Sequence, residues 1–130
     1  MTPSLPLAFS LSLALALAVV ATGCGGSKDD LPAPTTPKEA AKQIDSAFAT
    51  AEPELQQNMH TASAALREGQ YEKAVVALQV TRSTTNLTLE QGLAVHNSLV
   101  TLEANLINAA ASGDANAQRA YDLLKKSKRN

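Results

Sequence analysis

Tryptophan is absent from this 130-residue chain, and aromatic residues of all kinds make up only 3 % of it. Apart from Phe9, the rings are Phe48, Tyr71 and Tyr121, so any core has to be assembled mostly from Ala, Leu, Val and Ile. Such a core lets helices approach closely but buries little apolar area per residue. Cysteine occurs once, at Cys24, which excludes an intramolecular disulfide. Charge is missing from the whole segment before Lys28, and the eleven basic and twelve acidic side chains that follow leave a formal net charge of −1. A balance so close to neutral does not recruit nucleic acid through its overall field, and no nucleic-acid partner is expected.

Reactive constellations are also missing. His60 and His96 stand far apart with no cysteine near either and no HExxH spacing, so no metal site is expected. Both are read as partly exposed helix residues. The acidic pair Glu52 and Glu54 is explained by helix-start preference, and Glu68 and Glu72 by exposure. Gly25-Gly26 lacks the strand, helix and lysine of a phosphate loop, and no serine has an Asp-His arrangement beside it. No catalytic residue and no cofactor is expected, and the chain is read as not an enzyme. A remote alternative is an enzyme of unknown class whose residues converge only in three dimensions; a pocket joining either histidine to a carboxylate would favour it.

What the chain does have, first, is the uncharged apolar run from Leu5 to Cys24. Its centre, Leu7 to Ala21, is apolar except for Ser10 and Ser12, and is short of the roughly 20 residues that a helix rising about 1.5 Å per residue needs to cross hydrocarbon. Its length suits a secretory leader, and the small residues Ala21 and Gly23 suit a cleavage site. Ala21-Thr22-Gly23-Cys24 resembles the lipobox of bacterial lipoproteins. That resemblance implies removal of residues 1–23 as a signal peptide, a diacylglycerol thioether on Cys24, usually acylation of the new amino group, and a membrane partner held through that lipid. Residues 24–36, with Gly25-Gly26, the prolines Pro32 and Pro34 and mixed charge, read as a flexible tether. In lipoproteins of this type an aspartate directly after the cysteine favours the inner membrane. Gly25 stands there, so the resemblance implies the outer membrane, facing the periplasm, in a cell with two membranes.

Helical signals begin at Thr36-Pro37-Lys38-Glu39, a capping box with proline at the first helical position. Ala40, Ala41, Ile44, Ala47, Phe48 and Ala51 recur at helical spacing behind it. Pro53 interrupts that pattern and restarts or bends it, and Leu55, Met59, Ala62, Ala65 and Leu66 form the next inner face before Gly69 offers a left-handed cap. Gly69 then permits a tight turn, Tyr71 flanks it, Ala74 allows close helix approach and Leu78 fills the seam. Within residues 64–81, Ala65, Gly69, Tyr71, Ala74 and Leu78 resemble the later half of a tetratricopeptide-type helical hairpin, which implies an inter-helical surface that recognises a protein segment. The first helix departs from that pattern at Asn58 and Thr61-Ala62, and the chain lacks a stack of three such units.

Thr88 and Gln91 make a second capping box, opening a long helix to about Ala111. Leu89, Leu93, Val100, Ala104 and Ile107 form one stripe on it, with Leu99, Leu102 and Leu106 beside them. Two adjoining stripes predict contact with more than one neighbour, which makes this the candidate central helix. Asp114 caps a last helix with Ala117, Ala120, Tyr121 and Leu124 inward, and its terminal lysines and Arg129 complement a helix dipole or meet anionic lipid heads. The expected fold is all-α, with four or five amphipathic helices over residues 37–128, arranged as a tetratricopeptide-like hairpin or a small helical bundle. The expected function is a membrane-anchored protein-binding adaptor of the cell envelope, with an envelope protein as its partner. The alternative is a structural bundle with no specific peptide groove. A groove lined by polar side chains favours the first; a filled Leu/Ala seam favours the second.

Overall fold

The computed structural model describes residues 33–84 and 86–129; the leader, Cys24 and most of the tether lie outside the described residues. Five helices follow one another as α1 (Pro37–Ala47), α2 (Pro53–Glu68), α3 (Tyr71–Arg82), α4 (Leu89–Ala111) and α5 (Ala115–Lys128). The fold is all-α, a small helical bundle with no strand among the described residues. Short links pack each helix from α2 to α5 on its predecessor. α4 closes the ring by packing on α1 and α3, and α5 lies in the groove between α3 and α4.

The helix starts follow local chemistry. At α1, Thr36 Oγ1 accepts from the Glu39 N–H at 3.2 Å, while Glu39 Oε2 accepts from the N–H of Thr35 at 2.8 Å and of Thr36 at 3.3 Å. These bonds satisfy amides that the first helical turn leaves without partners. The hydroxyl of Thr35 donates to the same carboxylate, and bonds from Thr35 hold Glu39 below the usual glutamate range. Between α1 and α2 the chain breaks fully rather than bending. Phe48 caps α1 at φ −107°, ψ 8°, and Glu52 is extended at φ −56°, ψ 145°, the conformation that a following proline imposes. The ordered contacts begin ahead of the first helix: Pro34 is buried, and its carbonyl accepts from Thr101 Oγ1 at 2.7 Å. The end of the expected tether is thereby fastened to the middle of α4.

A single core joins all five helices. Phe48, Ile44, Met59, Leu78, Leu102, Leu106 and Leu124 are its largest fully buried members, and alanines fill the gaps where helices cross. Each large apolar side chain buried this way stabilises by roughly 1.5–3 kcal/mol relative to exposure.

α4 packs on α1, α3 and α5, as expected of a central helix, but through only one of its two stripes. On the other, Leu89 is 67 % exposed, Val100 53 % and Ile107 46 %. The helix turns the expected Leu99, Leu102 and Leu106 inward, with Ala94, Val95, Gln91, Ser98 and Thr101. The buried face joins these bulky residues to the small Ala94 and Ser98, which let neighbouring helices approach. Thr101 satisfies itself on Pro34, whereas the hydroxyl of Ser98 is buried with no hydrogen-bond partner.

Candidate protein-docking site

The residues singled out in the sequence occupy one corner. Gly69 ends α2 at φ 70°, ψ 20°, a left-handed conformation that side chains resist, and the N–H groups of Gly69 and Gln70 both return to the Ala65 carbonyl. Tyr71 opens α3 half-buried, its ring 3.9 Å from where a Cβ on Gly69 would stand. Ala74 and Leu78 are fully buried against α2, whose Ala62 and Ala65 are equally closed. All four side chains are closed to solvent where α2 packs on α3.

Open space lies at the opposite end of that pair. α2 and α4 make no direct backbone contact, and a cleft of about 420 Å³ opens where the α1–α2 and α3–α4 links meet. Ala51, Glu52, Glu54, Leu55 and Asn58 form the α2 wall. Thr84 and Asn86, then Thr88 and Gln91, form the opposing wall. Half of the second wall is a capping box: Thr88 N–H donates to Gln91 Oε1 at 3.0 Å and the Gln91 N–H to Thr88 Oγ1 at 3.2 Å. The first is set by Pro53 and by Gln56, whose Nε2 donates to the Ala49 carbonyl at 2.9 Å.

Two helix N-termini, with their partial positive charge, face this cleft, but both are already answered. Glu52 and Glu54 place negative charge at the start of α2, and the capping box satisfies the Gln91 and Thr88 amides at the start of α4. With two carboxylates and no lysine or arginine on its walls, the cleft favours a cation and offers amides and hydroxyls for hydrogen bonds. It contains no histidine. Sequence reasoning missed it because its walls are two links brought together by the bundle; the paired capping signals at Pro53 and Thr88 were the only traces of it.

The observation that would favour an enzyme, a histidine sharing a hollow with a carboxylate, does occur. His60 and Asp45 both line a space of about 210 Å³ between α1 and α2. Burial pushes Asp45 upward, but the hydrogen bond from Arg67 and the nearby charges of Arg67 and His60 hold it below the usual aspartate range. The carboxylate is therefore engaged by the Arg67 guanidinium. Ser63 is fully buried, donating to the His60 carbonyl at 3.1 Å and accepting from Arg67 at 3.2 Å, so its hydroxyl does not face the hollow as a nucleophile. The group acts as a clasp between α1 and α2. His96 lies apart from it on α4, exposed.

The last turn of α5 carries Lys125, Lys126 and Lys128. Lys125 bonds Asp122 at 3.1 Å and lies 4.5 Å over the Tyr121 ring, holding Asp122 below the usual range, and Lys128 reaches Glu103 at 2.6 Å. Half of this basic turn thus has a structural task. Among the described residues no group of three or more His, Cys, Asp or Glu side chains could hold a metal ion, and no helix is long and apolar enough to cross a membrane. Neither a protein-family model, a curated protein nor a solved structure matches this chain, which leaves its own residues and geometry as the basis for a functional reading.

Proposed function

We propose that the protein is a lipid-anchored adaptor of the cell envelope, held to a membrane through Cys24, that takes a polar, cationic segment of an envelope protein into the cleft between the α1–α2 and α3–α4 links. The observation that carries this reading is the cleft itself: an open space between two walls, lined by seven polar side chains, with Glu52 and Glu54 its only charges. A basic side chain entering beside those carboxylates would form charge-assisted hydrogen bonds, and amides beside it would meet Asn58, Asn86 and Gln91. The tetratricopeptide likeness contributes only the tight corner at Gly69, since the seam behind Ala74 is closed to solvent. The closed seam supports the second reading, a structural bundle with no bound segment.

Membrane attachment is tested by the intact mass of protein extracted from the producing cells' membranes. A chain beginning at Cys24 with added lipid is expected; a mass that keeps residues 1–23 without lipid rejects the anchor. For the cleft, a photoreactive group in place of Asn58 on the full chain should cross-link an envelope protein. Changing Glu52 and Glu54 together to lysine should reduce that product at least tenfold, and an unaltered yield would leave the structural reading standing.

A further inference from the structure

The outward side of α4 is a ridge of Leu89, Leu93, His96, Val100, Ala104 and Ile107 that carries no carboxylate, lysine or arginine, and Leu89, Val100 and Ile107 are its exposed bulky groups. Over a helix of 23 residues it runs roughly 34 Å. A water-facing side ordinarily carries charge. No helix among the described residues is long and apolar enough to cross a membrane, so a ridge of this kind suits lying on a bilayer rather than spanning it.

What borders the ridge indicates what covers it. Positions three and four apart on a helix are neighbours, so Glu103 stands beside Val100 and Ile107. Lys128 is bonded to Glu103 at 2.6 Å, which sets the basic last turn of α5 along that edge. There Lys125, Lys126, Lys128 and Arg129 surround a hollow of about 400 Å³ in company with Asp122 alone. Asp122 matches Lys125 and Glu103 matches Lys128, whereas neither Lys126 nor Arg129 has a carboxylate partner among the described residues. On the other edge Thr101, three positions before Ala104, holds the Pro34 carbonyl, so the apolar run of residues 5–24 is joined to the bundle beside this same ridge. α2, which α4 does not touch, has the reverse sign: it carries Glu52, Glu54 and Glu68, and its Arg67 is held by Asp45.

We propose that this ridge and the basic turn of α5 rest together on an anionic bilayer surface, with α4 in the membrane plane, Leu89, Val100 and Ile107 at the acyl chains, and Lys126 and Arg129 at the lipid phosphates. Interfacial attachment draws on both contributions, buried apolar area and attraction between cations and anionic headgroups. A single helix presents a convex ridge, to which a fluid lipid surface conforms, whereas a folded protein would need a matching groove. Glu90 falls at the rim in the first turn of α4, where the helix dipole accommodates it, and the α2 carboxylates face away from the anionic surface. The assignment needs no lipid on Cys24. A lipid there, or a retained apolar run, would bring the chain to a membrane without deciding which face lies down.

The chain has no tryptophan, so Val100→Trp places a single fluorescent reporter on the ridge and Gln57→Trp places one on the exposed side of α2. Each full chain is added to vesicles of phosphatidylcholine alone or mixed with phosphatidylglycerol, with and without bromine on the acyl chains as a quencher. With phosphatidylglycerol present, emission of the Val100→Trp chain should shift to the blue and fall at least twofold on bromination, while the Gln57→Trp chain should do neither. Adding Lys126→Glu and Arg129→Glu should remove most of that quenching with the helical circular dichroism unchanged, since both side chains are exposed. Sedimentation with the vesicles is read separately. A chain that sediments but is unquenched at position 100, or quenched equally at both positions, overturns the face and leaves attachment through the amino-terminal segment standing; a chain that does not sediment overturns both. Quenching as strong with phosphatidylcholine alone would overturn the anionic surface. A blue shift of Val100→Trp without vesicles that grows with protein concentration would mean that a second copy covers the ridge, and would overturn the proposal equally.

Discussion

The α2–α3 seam and the outer face of α4 are both apolar helical stripes, yet one is sealed and the other meets water. The sealed one sets the small Ala62, Ala65 and Ala74 among larger buried residues of the same two helices, Leu66, Val75 and Leu78. The open one has Leu89, Val100 and Ile107. Apolarity by itself therefore does not decide which face of a helix is buried here. Small side chains let backbones approach, and close approach brings many atoms into contact.

The largest expected effect follows directly from that contrast. Ala74→Leu adds a branched side chain at a fully buried position, and should destabilise the full chain by roughly 1–3 kcal/mol in urea unfolding. The same substitution at the open face, Ala104→Leu, should stay within about 0.5 kcal/mol of wild type, as exposed substitutions do. Equal losses at the two positions would mean that α4 is covered by the rest of its own chain and that the comparison is wrong.

A single substitution with opposite signs in the two regions sharpens it. Gly69 has φ 70°, so Gly69→Ala should cost roughly 1–2 kcal/mol even though the added Cβ meets nothing closer than the Tyr71 ring at 3.9 Å. Gly92 lies inside α4 with ordinary helical geometry and no atom within 4 Å of a new Cβ. Gly92→Ala should therefore stabilise by about 1 kcal/mol through helix propensity alone. The midpoints of thermal unfolding should move apart, downward for the first and upward for the second. Movement of both in the same direction would contradict the backbone assignments at Gly69 or Gly92.

Legibility from the sequence divides along the same line. Helix starts were readable because they depend on a few neighbouring residues: Thr36 with Glu39, Thr88 with Gln91, and Asp114, which accepts from the N–H groups of Asn116 and Ala117. Gly69 was readable because a left-handed corner has one favoured residue. The facing of α4 was not, since two apolar stripes on one helix leave the choice to tertiary packing, which buried Gln91, Ser98 and Thr101 along with Leu99, Leu102 and Leu106. The cleft was unreadable for a related reason. Its walls are separated by the whole of α3, and only closure of the bundle brings Asn58 opposite Asn86. The clasp of Asp45 with Arg67 likewise joins residues from two helices whose relative rotation no local pattern records.

That clasp supplies the smallest expected effect and a third kind of contact to set beside the seam and the open face. It joins α1 to α2 at their surface, with 38 % and 40 % of the two side chains exposed, so the pair should contribute only about 0–1 kcal/mol. Asp45 titrates below its ordinary value in the folded chain. Its contribution is consequently complete above the unfolded aspartate range, near pH 4, and is lost as pH falls through the lower folded value. Asp45→Asn should lower stability slightly at pH 7, by no more than about 1 kcal/mol, and converge on wild type in acid as the native carboxylate takes up its proton. Urea midpoints of the two chains between pH 7 and pH 2.5 measure that convergence. Curves that stay parallel across this range would show that Asp45 stabilises through its shape or its neutral hydrogen bonds, making the α1–α2 contact a packed joint like the seam at Ala74 rather than a charged clasp.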